Sequence, residues 1–549
     1  MDAAELLINA LEREGVEYVF GYPGDENLHF VEALRKSTRI SFVLTRHEQA
    51  AGFMAAAYGH LTGKLAVAMS TLGAGATNLT TAIAHAWLGE MPMIALTGQK
   101  AVRDNREGRY QLIDVVDIMR PITKSARTIP SGASLPGIIA EAVHQALEYP
   151  QGPVHLELPE DIAHDEVPST ALLPIQTAPR PDAPTAAVDE LAASISAAER
   201  PLILVGASAN ARLDVPPSLQ RLIDQTGLPF FTTWMGKGAA RESGDQYIGT
   251  ATMPGMDYIG CAIQHSDLIV SVGHNVMEKA PFVMQPEGPP VIHVHEFPAT
   301  ADVIWFPQQQ VVGNIATTLD GLTSRLGSSS WDMEGFRRVA AAQQASVEHN
   351  ADDGSLPFKP QFVMRELRQA LDPDDIVSVD NGIHRLWVAR NYPALQPRTT
   401  LIDSALGAMG PALPAGIAAK LAFPDRRIVV VVGDGGFMMN GQELETAVRL
   451  GISLTVLIFN DAGLGIVRLR QASMGYGTFG VDFGNPDFVA YAEAFGAIGH
   501  RPKSGDDFHE ILASTASSGV HVVDLEVDYS QNAELMMEMA GVDCASILG

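Results

Sequence analysis

The run from Arg427 to Gly465, RIVVVVGDGGFMMNGQELETAVRLGISLTVLIFNDAGLG, leaves this chain few folds to choose from. It opens with β-branched residues ending at Val432 and turns on Gly433-Asp434-Gly435-Gly436. Helical spacing follows through Leu444, Ala447 and Val448 to a stop at Gly451. A second apolar run, Leu454 to Phe459, has strand length. The stretch therefore predicts a right-handed βαβ unit with parallel strands, and its two polar clusters fall at the carboxyl ends of those strands, where open α/β sheets hold ligands.

Those clusters carry hard oxygen donors. Asp434 follows the first strand and Asp461 the second, and glycines surround both. Gly435 and Gly436 let backbone approach a phosphate at the coming helix N-terminus, while Asp434, Asp461 and the Gly463 carbonyl could hold an octahedral Mg²⁺. The plain alternative is two tight turns whose aspartates cap helices. A second acid at the facing strand end weighs against that alternative.

The rest of the chain repeats the α/β alternation, and its 549 residues suit about three domains. Residues 1–165 alternate helical and strand patterns, among them Tyr18–Phe20, Ile40–Leu44, Leu65–Ser70 and Met93–Leu96. A Pro-, Ala- and Thr-rich stretch at 167–187 reads as a linker. Residues 188–326 give a Rossmann-like pattern without GxGxxG, and a soft boundary over 326–358 leads to a third domain at 358–529, then a Met-rich tail at 530–549. The predicted class is α/β, with three parallel-sheet domains.

Charge and cysteine usage narrow the function. With 37 basic and 64 acidic residues the net charge is −27, a field that opposes nucleic acid and anionic membrane. The N-terminus, MDAAELLINALEREG, lacks the basic and apolar regions of a signal peptide, and no run of about 18 apolar residues occurs to span a membrane. Cys261 and Cys544 are too few for a disulfide framework or a thiolate metal site, which points to a reducing, cytoplasmic setting.

GDGG at 433–436 with Asn460-Asp461 resembles the signature of the thiamine diphosphate (thiamine pyrophosphate, ThDP) enzymes, in which an Asn pair follows GDG. Here Asp461 stands where the second Asn is usual, a departure that adds a negative charge beside Mg²⁺ and diphosphate. RHEQAAGFMA at 46–55, GAGATN at 73–78, RPITK at 120–124 and LGAMGPALPAG at 406–416 resemble motifs of the acetolactate synthase catalytic-subunit group within that family. The resemblance covers nearly the whole chain. It implies pyrimidine-binding, middle and diphosphate-binding domains in that order, with ThDP and Mg²⁺ as cofactors.

Several residue roles follow. Glu48, after a strand and before an Ala-rich helix, reads as a buried carboxyl with a raised pKa or as a helix N-terminal acid. The resemblance makes it the partner of N1′ of the cofactor's pyrimidine. Gln111 matches a glutamine that reaches the active site, and Tyr110 would line the substrate pocket. Asn78 could contact the cofactor or cap the helix after it, and capping is the simpler reading. The Gly407 carbonyl would accept from the 4′-amino group and Met409 would brace the bent cofactor. Backbone near Gly382 and the His384 side chain would hold diphosphate oxygens.

The implied reaction is decarboxylation of a 2-oxo acid and ligation of the remainder to an acceptor carbonyl, with pyruvate used twice to give 2-acetolactate. Another 2-oxo acid decarboxylase or carboligase, or a non-catalytic paralogue, are the alternatives. FAD, carried on the middle domain by biosynthetic relatives, is expected to be absent, because Val272-Gly273-His274-Asn275-Val276-Met277-Glu278-Lys279 stands in place of their Arg-rich run. Arg470 replaces a Trp that selects the acceptor there. The assembly implied is a homodimer or homotetramer, with Glu48 of one subunit facing the diphosphate site of another.

Overall fold

A computed structural model describes residues 1–103, 105, 108–168, 179–252, 255, 257–327 and 331–549. It contains three six-stranded sheets, parallel throughout. The first comprises β1 (Tyr18–Gly21), β2 (Ser41–Leu44), β3 (Val67–Ser70), β4 (Met93–Gln99), β5 (Ala126–Thr128) and β6 (Pro153–Pro159). The second comprises β7 (Pro201–Val205), β8 (Phe230–Thr232), β9 (Tyr247–Thr250), β10 (Leu268–Val272), β11 (Val291–His295) and β12 (Gln309–Val312). The third comprises β13 (Ile376–Val379), β14 (Thr400–Ile402), β15 (Ile428–Gly433), β16 (Leu454–Asn460), β17 (Ile498–His500) and β18 (Val520–Glu526).

The first sheet runs β2-β1-β3-β4-β6-β5 and the third β14-β13-β15-β16-β18-β17, which is the same topology twice. Both orders reverse between their first and third strands, so each sheet has a crevice at the carboxyl ends there. Near-continuous apolar strands such as IVVVV in β15 are buried on both faces, as parallel sheets covered by helices require.

The two domains are joined inside the chain by small-residue helices. Glu48–Thr62 packs along Ala412–Ala422, and one apolar core runs through both sheets. Alanines and glycines in both helices, EQAAGFMAAAYGHLT and ALPAGIAAKLA, make this approach possible. The predicted helix after Asp434 forms as two pieces, Asp434–Asn440 and Glu443–Arg449. The second ends before Gly451, whose φ of +65° suits glycine.

Two stretches carry helices that their sequence reading did not give. The soft boundary over 326–358 carries the helix Glu334–Glu348, whose Phe336 and Val339 are fully buried. The tail forms the helices Asn532–Ala540 and Cys544–Leu548. Asn532 accepts from Trp387 Nε1 at 2.9 Å on the third domain, and Cys544 is disulfide-bonded to Cys261 in the middle domain. The count of two cysteines therefore does not argue for a reducing compartment; a pairing across 283 residues leaves no local signal. Most of the expected linker, residues 169–178, lies outside the described residues. Among the described residues no helix is long and apolar enough to cross a membrane.

Candidate active site

β15 and β16 run level, with Val432 beside Ile458 and Gly433 beside Phe459, so the loops that leave them meet. Asp434 is 1% exposed and begins its helix. Its carboxylate accepts from the Gly435 N–H at 2.7 Å, from Asn485 Nδ2 at 2.8 Å, and from the backbone N–H groups of Ala462 and Asp461. One side chain thus ties the two loops together. Asn485 also donates to Asn460 Oδ1 at 3.0 Å, fastening the 479–485 segment over the same edge.

Asp461 stands beside this clamp. Burial, then the negative charge of Asp434, push its carboxyl up to about 6, opposed by Arg468, whose Nη1 lies 3.3 Å from Oδ2. Ala462 between them has φ +50°, an uncommon conformation for a residue with a Cβ and one that clusters at functional sites. Gly463 forms a single antiparallel bridge with Asp482, which Arg468 grips at 2.7 Å.

β13 supplies the neighbouring support. Asp380, fully buried, accepts from the backbone N–H groups of Asn381 at 2.8 Å, Gly410 at 2.9 Å and Ala412 at 3.2 Å, which pins the 407–412 loop to the sheet edge. Burial raises its carboxyl to about 6. A Cβ at Gly436 would fall 2.8 Å from Asp380 Oδ1, so glycine is required where the helix passes this carboxylate. Gly407, at φ +71°, donates its N–H to Asp403 Oδ2 at 2.9 Å, while its carbonyl accepts from Asn381 Nδ2. That carbonyl keeps a second lone pair for an amino group. Met409 Cε lies 3.6 Å from the place of a Cβ on Gly435, with Phe483 and Leu464 beside it, so Gly435 faces an apolar wall.

His384 differs from its expected setting. Its ring is buried beneath Gly382 and Gly433, Nε2 donates to the Asp380 carbonyl at 3.0 Å, and burial lowers its pKa to about 3. A neutral ring whose N–H is already engaged offers diphosphate no cation and no second donor. Gly382 opens the helix Ile383–Asn391 and leaves its backbone to that task.

On the first sheet, Glu48 begins the helix after β2, with His47 as its N-cap accepting from the Gln49 N–H at 3.1 Å. Glu48 is half-buried rather than buried. Asn78 does not cap a helix; its Nδ2 donates to Glu48 Oε2 at 2.9 Å. Gln111, at φ +58°, places its carbonyl oxygen 3.0 Å from where a Cβ on Gly73 would stand, so its loop borders the loop that follows β3. Tyr110 is exposed, with Lys100 Nζ 5.3 Å from its ring centre. Arg470 is exposed on the helix Gly465–Ser473, which buries none of its residues. It makes no ion pair among the described residues, which leaves its guanidinium free of the acids around it.

The structure therefore gathers the candidates into two groups: Gly382, His384, Gly407, Met409, Gly433, Asp434, Gly435, Gly436, Asp461 and Gly463 on the third sheet, and Glu48, Tyr110 and Gln111 on the first. Among the described residues no hydrogen bond or ion pair joins Glu48 to Asp434 or Asp461. No cluster of three or more His, Cys, Asp or Glu side chains suited to a metal occurs among the described residues either. Two carboxylates without a third suit Mg²⁺, which takes one or two carboxylates and completes its shell with phosphate oxygens and water.

Comparison with known proteins decides the family. Residues 1–118 match the N-terminal TPP binding domain of thiamine pyrophosphate enzymes, 188–322 their central domain, and 380–525 their C-terminal TPP binding domain. The chain belongs to the thiamine pyrophosphate enzyme family. Within that family it is 31% identical to an acetolactate synthase of Bacillus subtilis, over 97% of this chain and 94% of that protein. It is 32% identical to a catabolic acetolactate synthase of Raoultella terrigena, over 98% and 97% respectively. A probable acetolactate synthase large subunit of Methanococcus aeolicus is 31% identical over the whole chain and 95% of its own length. The protein is thus a ThDP-dependent, acetolactate synthase-like enzyme of this family.

Four supporting residues of this family member escaped the sequence. Asp380 sits at a strand's carboxyl end, a place that singles out acids. Arg468, Asn485 and Glu443 reach their partners only through the fold: Asn485 lies in the glycine-rich stretch GYGTFGVDFGN at 475–485, which shows no periodicity.

Proposed function

We propose that this enzyme uses ThDP and Mg²⁺ to decarboxylate pyruvate and join the remaining two-carbon unit to a second pyruvate, giving 2-acetolactate and CO₂. The observation that carries the cofactor reading is the Asp434 clamp, which holds two carboxylates and the Gly435–Gly436 backbone at one strand edge. Asp434, Asp461 and the Gly463 carbonyl would hold Mg²⁺, and the backbone of Gly382, Gly435 and Gly436 would face the diphosphate. Bound ThDP supplies a nucleophilic carbon and an electron sink for the carboxylate to leave into. Glu48, steadied by Asn78, holds a proton at N1′ of the pyrimidine. The Gly407 carbonyl orients the 4′-amino group, and Met409 with Leu464 and Phe483 keeps water away from one side of the ring. The choice of pyruvate as donor and acceptor rests on the relatives' names.

The absence of FAD is part of the same proposal, and the middle sheet supports it. At the carboxyl ends of β7 and β10, where such a sheet would take a nucleotide, Glu278 accepts from the Ala207 N–H at 2.7 Å and from His274 Nδ1 at 3.2 Å. The chain's own carboxylate thereby fills the anion position. At least a homodimer is proposed, with a homotetramer as the larger assembly. Ile466, Val467, Met474, Tyr476 and Phe479 are exposed apolar residues along and after the Gly465–Ser473 helix, and a second copy bringing its Glu48 would cover them.

Incubation of the pure protein with ThDP, Mg²⁺ and a panel of 2-oxo acids, followed by product identification, tests this reading. Pyruvate should yield one CO₂ and one 2-acetolactate for every two molecules consumed. Turnover of another 2-oxo acid with pyruvate inert would replace the acetolactate assignment, and no turnover with any would remove the catalytic one.

A further inference from the structure

Glu443 begins the second helix after Asp434 and is completely buried, yet it takes no part in the chemistry described above. Its carboxylate reaches across to the first domain of the same chain. Oε1 accepts from the Arg46 N–H at 2.9 Å, the His47 N–H also points at the carboxylate, and Thr446 Oγ1 donates to Oε2 at 2.6 Å. These are the two peptide groups immediately before Glu48. Nearby, Asn440 Nδ2 donates to Gln49 Oε1 at 3.2 Å, and Arg449 donates to the Leu44 carbonyl. The segment 440–449 thus grips residues 44–49 at four points, and only Glu443 engages peptides that fix the direction in which Glu48 leaves the strand.

A surface acid at a helix start would merely favour the dipole. Glu443 is different, because a fully buried carboxyl persists only when its oxygens are used, and here both are. Removing it would take away the acceptor that holds the N–H groups of Arg46 and His47. The loop would then turn to find other acceptors and carry Glu48 with it. A displacement of about 1 Å at a group that holds a reacting proton costs about a hundredfold in rate.

We propose that Glu443 is a positioning residue for Glu48, setting the carboxyl of the pyrimidine-facing loop from the diphosphate-binding domain of the same chain. The proposal rests on the ThDP reading given above. Because the helices that begin at Asp434 and end at Arg449 join the two places, one stretch of each chain would serve the metal end of one site and the Glu48 of the next.

The test measures H/D exchange at C2 of bound ThDP, together with the ThDP dissociation constant at saturating Mg²⁺, in four proteins: unsubstituted, Glu443→Ala, Glu48→Gln, and the double variant. Glu443→Ala should slow exchange by about 10- to 100-fold and change ThDP affinity by less than about threefold. In the Glu48→Gln background it should have no further effect, since it acts only through Glu48. Glu443→Gln, which keeps the shape and one acceptor oxygen, should fall between the two and serves if the alanine variant does not fold. Equal slowing in both backgrounds, or lost ThDP affinity with unchanged exchange, would overturn the proposal. Failure of the unsubstituted protein to bind ThDP or exchange C2 would overturn the functional reading itself, a result distinguishable from the other two.

Discussion

Asp461 gives the account a pH dependence that can be worked out from its surroundings. Where the family signature that this stretch resembles has an amide, this chain has a carboxyl that burial and Asp434 push up to about 6, against an ordinary value of 3.8. Ionising it without a cation present costs ~3 kcal/mol more than in water, from about two pK units at 1.36 kcal/mol each. A raised carboxyl contributes stability that is full below pH 3.8 and lost as pH rises through about 6, so the metal-free protein is penalised at neutral pH. A bound Mg²⁺ reverses that penalty because it takes only the ionised form. Below pH 6 protons therefore compete with metal, and at pH 5 roughly one molecule in ten is ready to bind. The expected result is an apparent Mg²⁺ affinity about tenfold lower at pH 5 than at pH 8, measured by calorimetric titration at saturating ThDP. Terminal phosphates also titrate near pH 6, so the deciding quantity is the difference between this protein and Asp461→Asn. The variant should bind Mg²⁺ and ThDP at neutral pH with one proton less of pH slope. Identical slopes in the two proteins, or no binding at all in the variant, would refute the reasoning.

Three further outcomes are expected. Glu48→Gln should bind ThDP with nearly unchanged affinity and lose C2 proton exchange by about 10²–10⁴-fold, read by NMR, because an amide has no carboxyl proton to give N1′. Arg470→Phe should raise KM for a 2-oxo acid acceptor by roughly 10- to 150-fold while sparing a neutral aldehyde acceptor, since a charge-assisted contact is worth about 1.5–3 kcal/mol; equal effects on both acceptors would make Arg470 a surface charge. Denatured, unreduced protein should show no thiol towards a thiol reagent and two after reduction, as the Cys261–Cys544 bond requires; two thiols before reduction would contradict it.

What the sequence made legible follows the range of each interaction. The third-sheet βαβ unit could be read because β-branched runs, glycine turns and helical spacing are local, and the register of β15 with β16 then placed Asp434 beside Asp461 without further information. The alternation of apolar runs gave the parallel α/β class in the same way. Supports that join distant segments left no trace. Glu443 meets Arg46 across 397 positions, and nothing about an acid in GQELETAV distinguishes a buried interdomain acceptor from a solvated helix start. Cys261 and Cys544 meet only because the C-terminal helices return to the middle domain. His384 was legible as a polar residue near a strand end, but the direction of its Nε2, into the Asp380 carbonyl, belongs to the fold. Glu48 reads in the sequence either as a buried carboxyl or as a helix N-terminal acid; it begins its helix and is half-buried in the single chain.

We propose that the Glu48 half and the Asp434 half of a site come from different chains. Co-expression of Glu48→Gln and Asp434→Ala subunits under two tags, purification of the mixed dimer, and measurement of pyruvate consumption test it most directly. Each parent should be inactive. In the mixed dimer one site holds both substitutions and the other neither, so about half the activity of the unsubstituted dimer should return. A mixed dimer as inactive as its parents would show that Glu48 and Asp434 serve the same chain, and would contradict the shared site.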